Sequence, residues 1–161
     1  MNLIGNKREF AVEYQITDIE KMMGYGKLWI QNKFYGSNQD LIYLKGYLVK
    51  LIENILDAKP LKLNLDISNK DETYEHLKKT SDESSIYQIF GSTFTDDFIG
   101  YKFRDENKII LVWKIREDVE MIFSDLMDYP KSTNLEKVNY YVVKEVLNKL
   151  NDEIKRREHN K

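Results

Sequence analysis

Polar and apolar residues alternate cleanly over residues 9–16. Phe10, Val12, Tyr14 and Ile16 fall on one side, and Ala11, Glu13 and Gln15 on the other. A period of two is the mark of a half-buried strand. Leu28 and Ile30 alternate with Lys27, Trp29 and Gln31 in the next strand. Asn32-Lys33 supplies a turn, since Asn tolerates a positive φ, and Gly36 lets the chain break away. Over residues 41–56 the period changes. Leu41, Leu44, Leu48, Leu51, Ile52 and Ile55 are three and four apart, which predicts an amphipathic helix that covers the sheet. Gly46 inside it costs about 1 kcal/mol relative to Ala, a cost that a close approach to the sheet would explain. Pro60 closes the segment.

Leu61, Leu63, Leu65 and Ile67 alternate again and predict a strand. Residues 70–79 are polar and read as a short exposed helix, and 80–85 as a flexible loop. Residues 86–94, 98–104 and 108–115 read as a three-strand antiparallel meander, with Asp105-Glu106-Asn107 as its last turn. Residues 119–127 fit a strand and a short helix equally, and Pro130 ends them. A final helix is expected from a capping box of Thr133 and Glu136, with Leu135, Val138, Val142, Val146, Leu150 and Ile154 as its apolar stripe. Together these elements predict an α+β fold, mainly antiparallel: a hairpin and a three-strand meander with two long helices packed on them. Neither an internal repeat nor a long linker interrupts the 161 residues, so a single domain is expected.

Composition narrows the function classes. Hydrophobic residues make up 42% and aromatics 12%, enough for a packed core. A net charge of −2 argues against a nucleic-acid binder, which needs clustered Lys and Arg. The absence of cysteine removes disulfides, thiolate metal sites and a Cys nucleophile, and fits a reducing compartment. No apolar run follows Lys7 and Arg8, so no signal peptide is expected. The longest plain apolar run, residues 109–113, is far too short to span a bilayer. The expectation is a cytoplasmic protein with no membrane partner.

Candidate chemistry is sparse. His76 and Glu72 lie one helical turn apart, but two ligands do not make a metal site. Gly24-Tyr25-Gly26 opens like a dinucleotide fingerprint, yet Trp29 occupies the third glycine position and the motif precedes a strand. The eleven tyrosines fit sheet packing and protein contact better than base stacking, since no basic groove accompanies them. No catalytic residue, cofactor or metal is implied. Charge distribution says more. Residues 66–128 contain fifteen acidic and eight basic side chains, a net of −7, while the remainder carries +5. Glu117, Asp118, Glu120, Asp125 and Asp128 close this acidic half. They form either a solvated face or a docking surface for a basic protein, whose encounter opposite charge would steer.

One resemblance is carried by particular residues. Ile4-Gly5-Asn6-Lys7, Phe10-Ala11-Val12-Glu13-Tyr14 and the stretch from Gly26 through Trp29-Ile30-Gln31-Asn32 to Gly36, followed by a Leu-rich helix, resemble the immunity protein 42 family of bacterial polymorphic toxin systems. The resemblance covers about the first third of the chain. It implies a small cytosolic protein that binds and neutralises a cognate secreted toxin domain. A basic nuclease domain would suit the acidic half, which would occupy its cationic groove. The competing readings are a non-catalytic α+β ligand-binding or regulatory module and, further behind, an enzyme built on convergent carboxylates.

Overall fold

The computed structural model describes residues 1–62 and 66–160. Four strands, β1 (Asn2–Asn6), β2 (Phe10–Asp18), β3 (Met23–Ile30) and β4 (Lys33–Tyr35), form an antiparallel meander. A two-residue strand, β5 (Ile42–Tyr43), pairs with the start of β3. In β2 Phe10, Val12 and Tyr14 are buried and Ile16 is half-buried, but Ala11 on the other side is fully buried as well, so the alternation holds only from Val12 onward. The β3–β4 turn lies one residue earlier than expected. Ile30 pairs with Lys33, and the turn residues are Gln31 (φ 47) and Asn32 (φ 66). Two successive positive φ values match the right-handed twist of the strands they join. Gly36 (φ 95) does redirect the chain, and a Cβ there would meet the Phe94 ring at 2.9 Å.

The helix expected over residues 41–56 is shorter than its apolar pattern. Its first residues form β5, a π-helical turn follows (Lys45–Val49), and α1 covers only Lys50–Leu56. The stripe is nevertheless buried at Leu44, Leu48, Leu51, Ile52 and Ile55. The close approach to the sheet occurs at Gly26, where a Cβ would meet Leu48 Cδ2 at 2.8 Å. Gly46 instead makes room for the Tyr43 ring. Of the strand expected over residues 61–67, positions 63–65 lie outside the described residues, and 61, 62, 66 and 67 belong to no strand.

Helix α2 (Lys70–Glu83) extends through most of the expected loop at 80–85. Asn69 caps it by accepting from the Glu72 N–H. It is not wholly exposed, because Tyr74 and Leu77 pack on the second sheet. That sheet is a three-strand antiparallel meander, as expected, but with different members: β6 (Phe98–Asp105), β7 (Lys108–Ile115) and β8 (Asn134–Asn139). Residues 86–94 supply no strand. They form a 3₁₀ turn (Ser85–Tyr87) and a single bridge from Gln88 to Tyr101.

The third strand comes from residues expected to begin the last helix. Thr133 does not cap; its hydroxyl donates to Asp71. The cap is Asn139, whose side chain accepts from the Tyr141 N–H, and α3 runs Tyr140–His159. Leu135 and Val138 satisfy a helical spacing, but the backbone of β8 pairs with β7 from Lys108↔Asn139 to Trp113↔Asn134. Pairing along a central strand overrides a period read from two residues.

The run 109–113 is buried on both faces of β7. Ile109, Leu111 and Trp113 join the main core with the first sheet, α1 and α3, while Ile110 and Val112 pack beneath α2. A strand covered on both sides has no reason to alternate. The architecture is thus α+β with three α-helices among the described residues, of which α2 and α3 are long.

Candidate docking surface

Strands β7 and β8 are antiparallel neighbours, a pairing that a turn of roughly 2–5 residues can join. Here the chain leaves β7 at Ile115 and returns at Asn134. The excursion over residues 116–133 crosses to the first sheet, where Leu126 and Tyr129 are buried. Long-range hydrogen bonds hold it there. Asp125 accepts from Ser37 Oγ at 2.8 Å and from the Asn38 N–H at 3.2 Å. The Ser124 N–H donates to Gln39 Oε1 at 2.9 Å, and Gln39 Nε2 donates back to Ser124 Oγ at 2.7 Å. The Tyr129 hydroxyl accepts from Trp113 Nε1 at 2.8 Å and donates to the Phe34 carbonyl at 2.7 Å, tying the two sheets together.

The five acidic residues singled out from the sequence separate into two kinds. Glu117, Asp118, Glu120 and Asp128 are exposed along the excursion. Asp118 is bound by the Arg116 guanidinium at 3.1 and 2.9 Å, which holds its carboxyl below the ordinary range. Asp125 is turned inward and engaged with Ser37 and Asn38, and lies 3.9 Å from Lys27 Nζ. Asp97 adds to the negative field from a buried position. Burial pushes its carboxyl up, and the neighbouring Asp96 charge pushes it further.

Beneath the excursion lies a charged and aromatic cluster that the alternation of β3 did not reveal. Lys27, on the polar side of the strand pattern, is only 7% exposed. Its ammonium lies 4.1 Å from the centre of the Phe34 ring. Burial lowers its pKa, and the Asp125 charge works against that shift. Lys7 sits 4.0 Å over the Trp29 ring and donates to Glu13 at 2.6 Å. Burial raises the Glu13 carboxyl, but the bonds from Lys7 and Trp29 bring it below its ordinary value. A cation over an aromatic face is attracted by the ring quadrupole, so this cluster stiffens the floor under Asp125.

Two exposed apolar side chains also escaped the sequence reading. Ile122 is 74% exposed and Met127 63%, the highest values among the large hydrophobic residues described. Both lie among Glu117, Asp118, Glu120 and Asp128. No sequence signal separates them from Leu126, which is buried five residues before the loop reaches Lys131. The arrangement resembles a protein interface in small: apolar side chains inside a polar rim.

Among the described residues, no group of three or more His, Cys, Asp or Glu side chains is placed to hold a metal ion. Glu72 and His76 lie together on α2 without a third ligand there. None of the described helices is long and apolar enough to cross a membrane.

The family model for immunity protein 42 matches residues 1–153. The chain belongs to the immunity protein 42 family. The match reaches from β1 into α3, so it takes in both sheets and the excursion between β7 and β8. The fold has a solved counterpart: the crystal structure of CdiI from Burkholderia dolosa AUO158 superposes with a TM-score of 0.58 at 12% identity, covering 92% of this chain and 99% of that one. No curated protein matches the chain. Within the immunity protein 42 family, then, the resemblance carried by the first third extends over nearly the whole chain.

Proposed function

We propose that this immunity protein binds and neutralises a cognate secreted bacterial toxin domain in the cytoplasm, acting as a non-catalytic inhibitor. The observation that carries the proposal is the excursion over residues 116–133. It is far longer than the turn its flanking strands need, it is pinned at Ser124, Asp125 and Tyr129, and it presents Ile122 and Met127 among four exposed carboxylates. A loop fixed before binding loses little entropy on docking, which favours affinity. Exposed acidic groups favour a partner with a basic face and speed its approach. A nuclease domain fits that description, since its groove must attract phosphates. Glu117, Asp118, Glu120 and Asp128 would then face the toxin, with Asp125 holding the loop in place.

Co-expression with the product of the adjacent gene tests the proposal. Growth rescue and co-purification as a complex are expected. A toxic neighbour that is neither neutralised nor captured would remove the immunity reading for that pair.

A further inference from the structure

A recess of about 420 Å³ opens beside the excursion, between the last turns of α2, the segment 88–91 and β6. Asp82 and Asp96 stand at its margin with Arg116, which also begins the excursion. The recess and the acidic loop are therefore continuous.

Two polar atoms in it lack partners. Tyr35 is 2% exposed, its ring packed against Phe98 and Trp113, and no described group hydrogen-bonds its hydroxyl. That hydroxyl borders the recess, and a Cβ at Gly100 would come within 2.9 Å of it. The Ser81 hydroxyl oxygen is buried, lines the recess and is also unpartnered. Buried polar groups ordinarily find a partner, and leaving one unpaired is costly. Ser81 Oγ is such a buried group, and together with the Tyr35 hydroxyl it leaves two oxygen acceptors at one opening available to an external donor.

The walls are fixed before any ligand arrives. The Gln88 carbonyl accepts from Lys102 Nζ at 2.8 Å, the Ile89 N–H donates to the Gly100 carbonyl at 2.8 Å, and the Phe90 N–H donates to Asn54 Oδ1 at 3.0 Å. Phe90 is 51% exposed and gives the mouth an apolar edge. The lining carries two carboxylates, Asp82 and Asp96, and two cations, Lys78 and Arg116. Asp82 and Asp96 are exposed and make no ion pair among the described residues, whereas Arg116 is already held by Asp118. Lys78 is the remaining cation of the lining.

We propose that this recess receives an arginine side chain of the toxin. A guanidinium is planar, permanently charged and carries five N–H donors, so it can serve two carboxylates and two hydroxyl oxygens at once. Its aliphatic stem would lie along Phe90 and Ile89. The inference rests on the reading that a basic protein docks on the acidic excursion, and it adds the residue type that anchors it.

The test uses the intact protein in two arms. In the first, amide shifts are followed while N-acetyl-arginine-methylamide, and separately its neutral citrulline counterpart, are added to 50 mM. Saturable shifts at Gly91 and Gly100 with the arginine probe alone, abolished in the Asp82→Asn/Asp96→Asn double variant, are expected. Absent shifts, or equal shifts with citrulline, would overturn the proposal. In the second arm, the same double variant is titrated with the toxin domain. At least a tenfold rise in Kd is expected, with the melting temperature unchanged because both carboxylates are exposed. Unchanged toxin affinity would refute the socket while leaving the immunity reading intact. Failure of the wild-type protein to bind the toxin would sink the immunity reading, and the first arm would still decide the recess.

Discussion

Replacing Tyr129 by Phe removes one oxygen atom and two hydrogen bonds. The ring keeps its edge contacts with Phe34 (4.9 Å between centroids) and Phe98 (5.0 Å), so the apolar contribution stays almost constant. What changes is the pairing. Trp113 is 0% exposed, and its indole N–H would be left without an acceptor. An unsatisfied buried donor costs about 1–3 kcal/mol. The Phe34 carbonyl loses a 2.7 Å bond but is half-buried, so water can partly replace it, and about 1 kcal/mol is its share. The sum is about 3 kcal/mol, which for a chain of this size lowers Tm by about 6–12 °C. Urea denaturation should show a lower midpoint with an unchanged slope, because the surface exposed on unfolding is the same. The control is Tyr87→Phe, whose hydroxyl makes only an exposed 3.2 Å bond to the Pro60 carbonyl and should cost under about 0.5 kcal/mol. If Tyr129→Phe costs no more than that control, the hydroxyl does not tie the excursion and the two sheets together.

Other outcomes follow from the same geometry. Asp125→Ala removes the acceptor for Ser37 and Asn38 and leaves Lys27 without its nearest carboxylate, so a loss of about 2–4 kcal/mol is expected by thermal melting, and much less in a Lys27→Met background. Gly36→Ala places a Cβ at 2.9 Å from the Phe94 ring on a residue with φ 95, and should cost about 2 kcal/mol, read from the shift of the denaturation midpoint. Burial lowers the Lys102 pKa to about 8, below its unfolded value of 10.5. Between those values the unfolded chain binds more protons, so stability should rise with pH, by about 1 kcal/mol from pH 7 to pH 9, and Lys102→Met should flatten that rise. A wild-type stability that falls over this interval would contradict the assignment.

Elements whose pattern and environment agree were legible from the chain. Strand β2 alternates from Val12 onward because there one face meets the core and the other is partly open to solvent. The stripe in α3 from Val146 to Ile154 is periodic because only one side of that helix meets the core. Elsewhere the environment was set by distant segments. β8 is a strand because β7 lies beside it, and nothing within residues 134–139 announces that partner. Residues 86–94 contain β-forming side chains, but the place beside β6 is taken up by one bridge and the wall of a recess. The negative segment was legible as charge, and four of its five named carboxylates do lie exposed on the excursion. That Asp125 faces inward while Ile122 faces out depends on Ser37, Asn38 and Leu126, contacts between residues up to 88 positions apart. Sequence spacing carries no information about them.

The central claim is that the acidic excursion is where the toxin docks. Its most direct test is the affinity of the adjacent gene's toxin domain for the wild-type protein and for a Glu117→Lys/Asp118→Lys/Glu120→Lys variant, measured at low and at physiological salt. All three side chains are exposed, so the variant should fold with little change in Tm. The account expects at least a tenfold weaker complex, with the difference shrinking as salt rises. Equal affinity of the two proteins at low salt would contradict it.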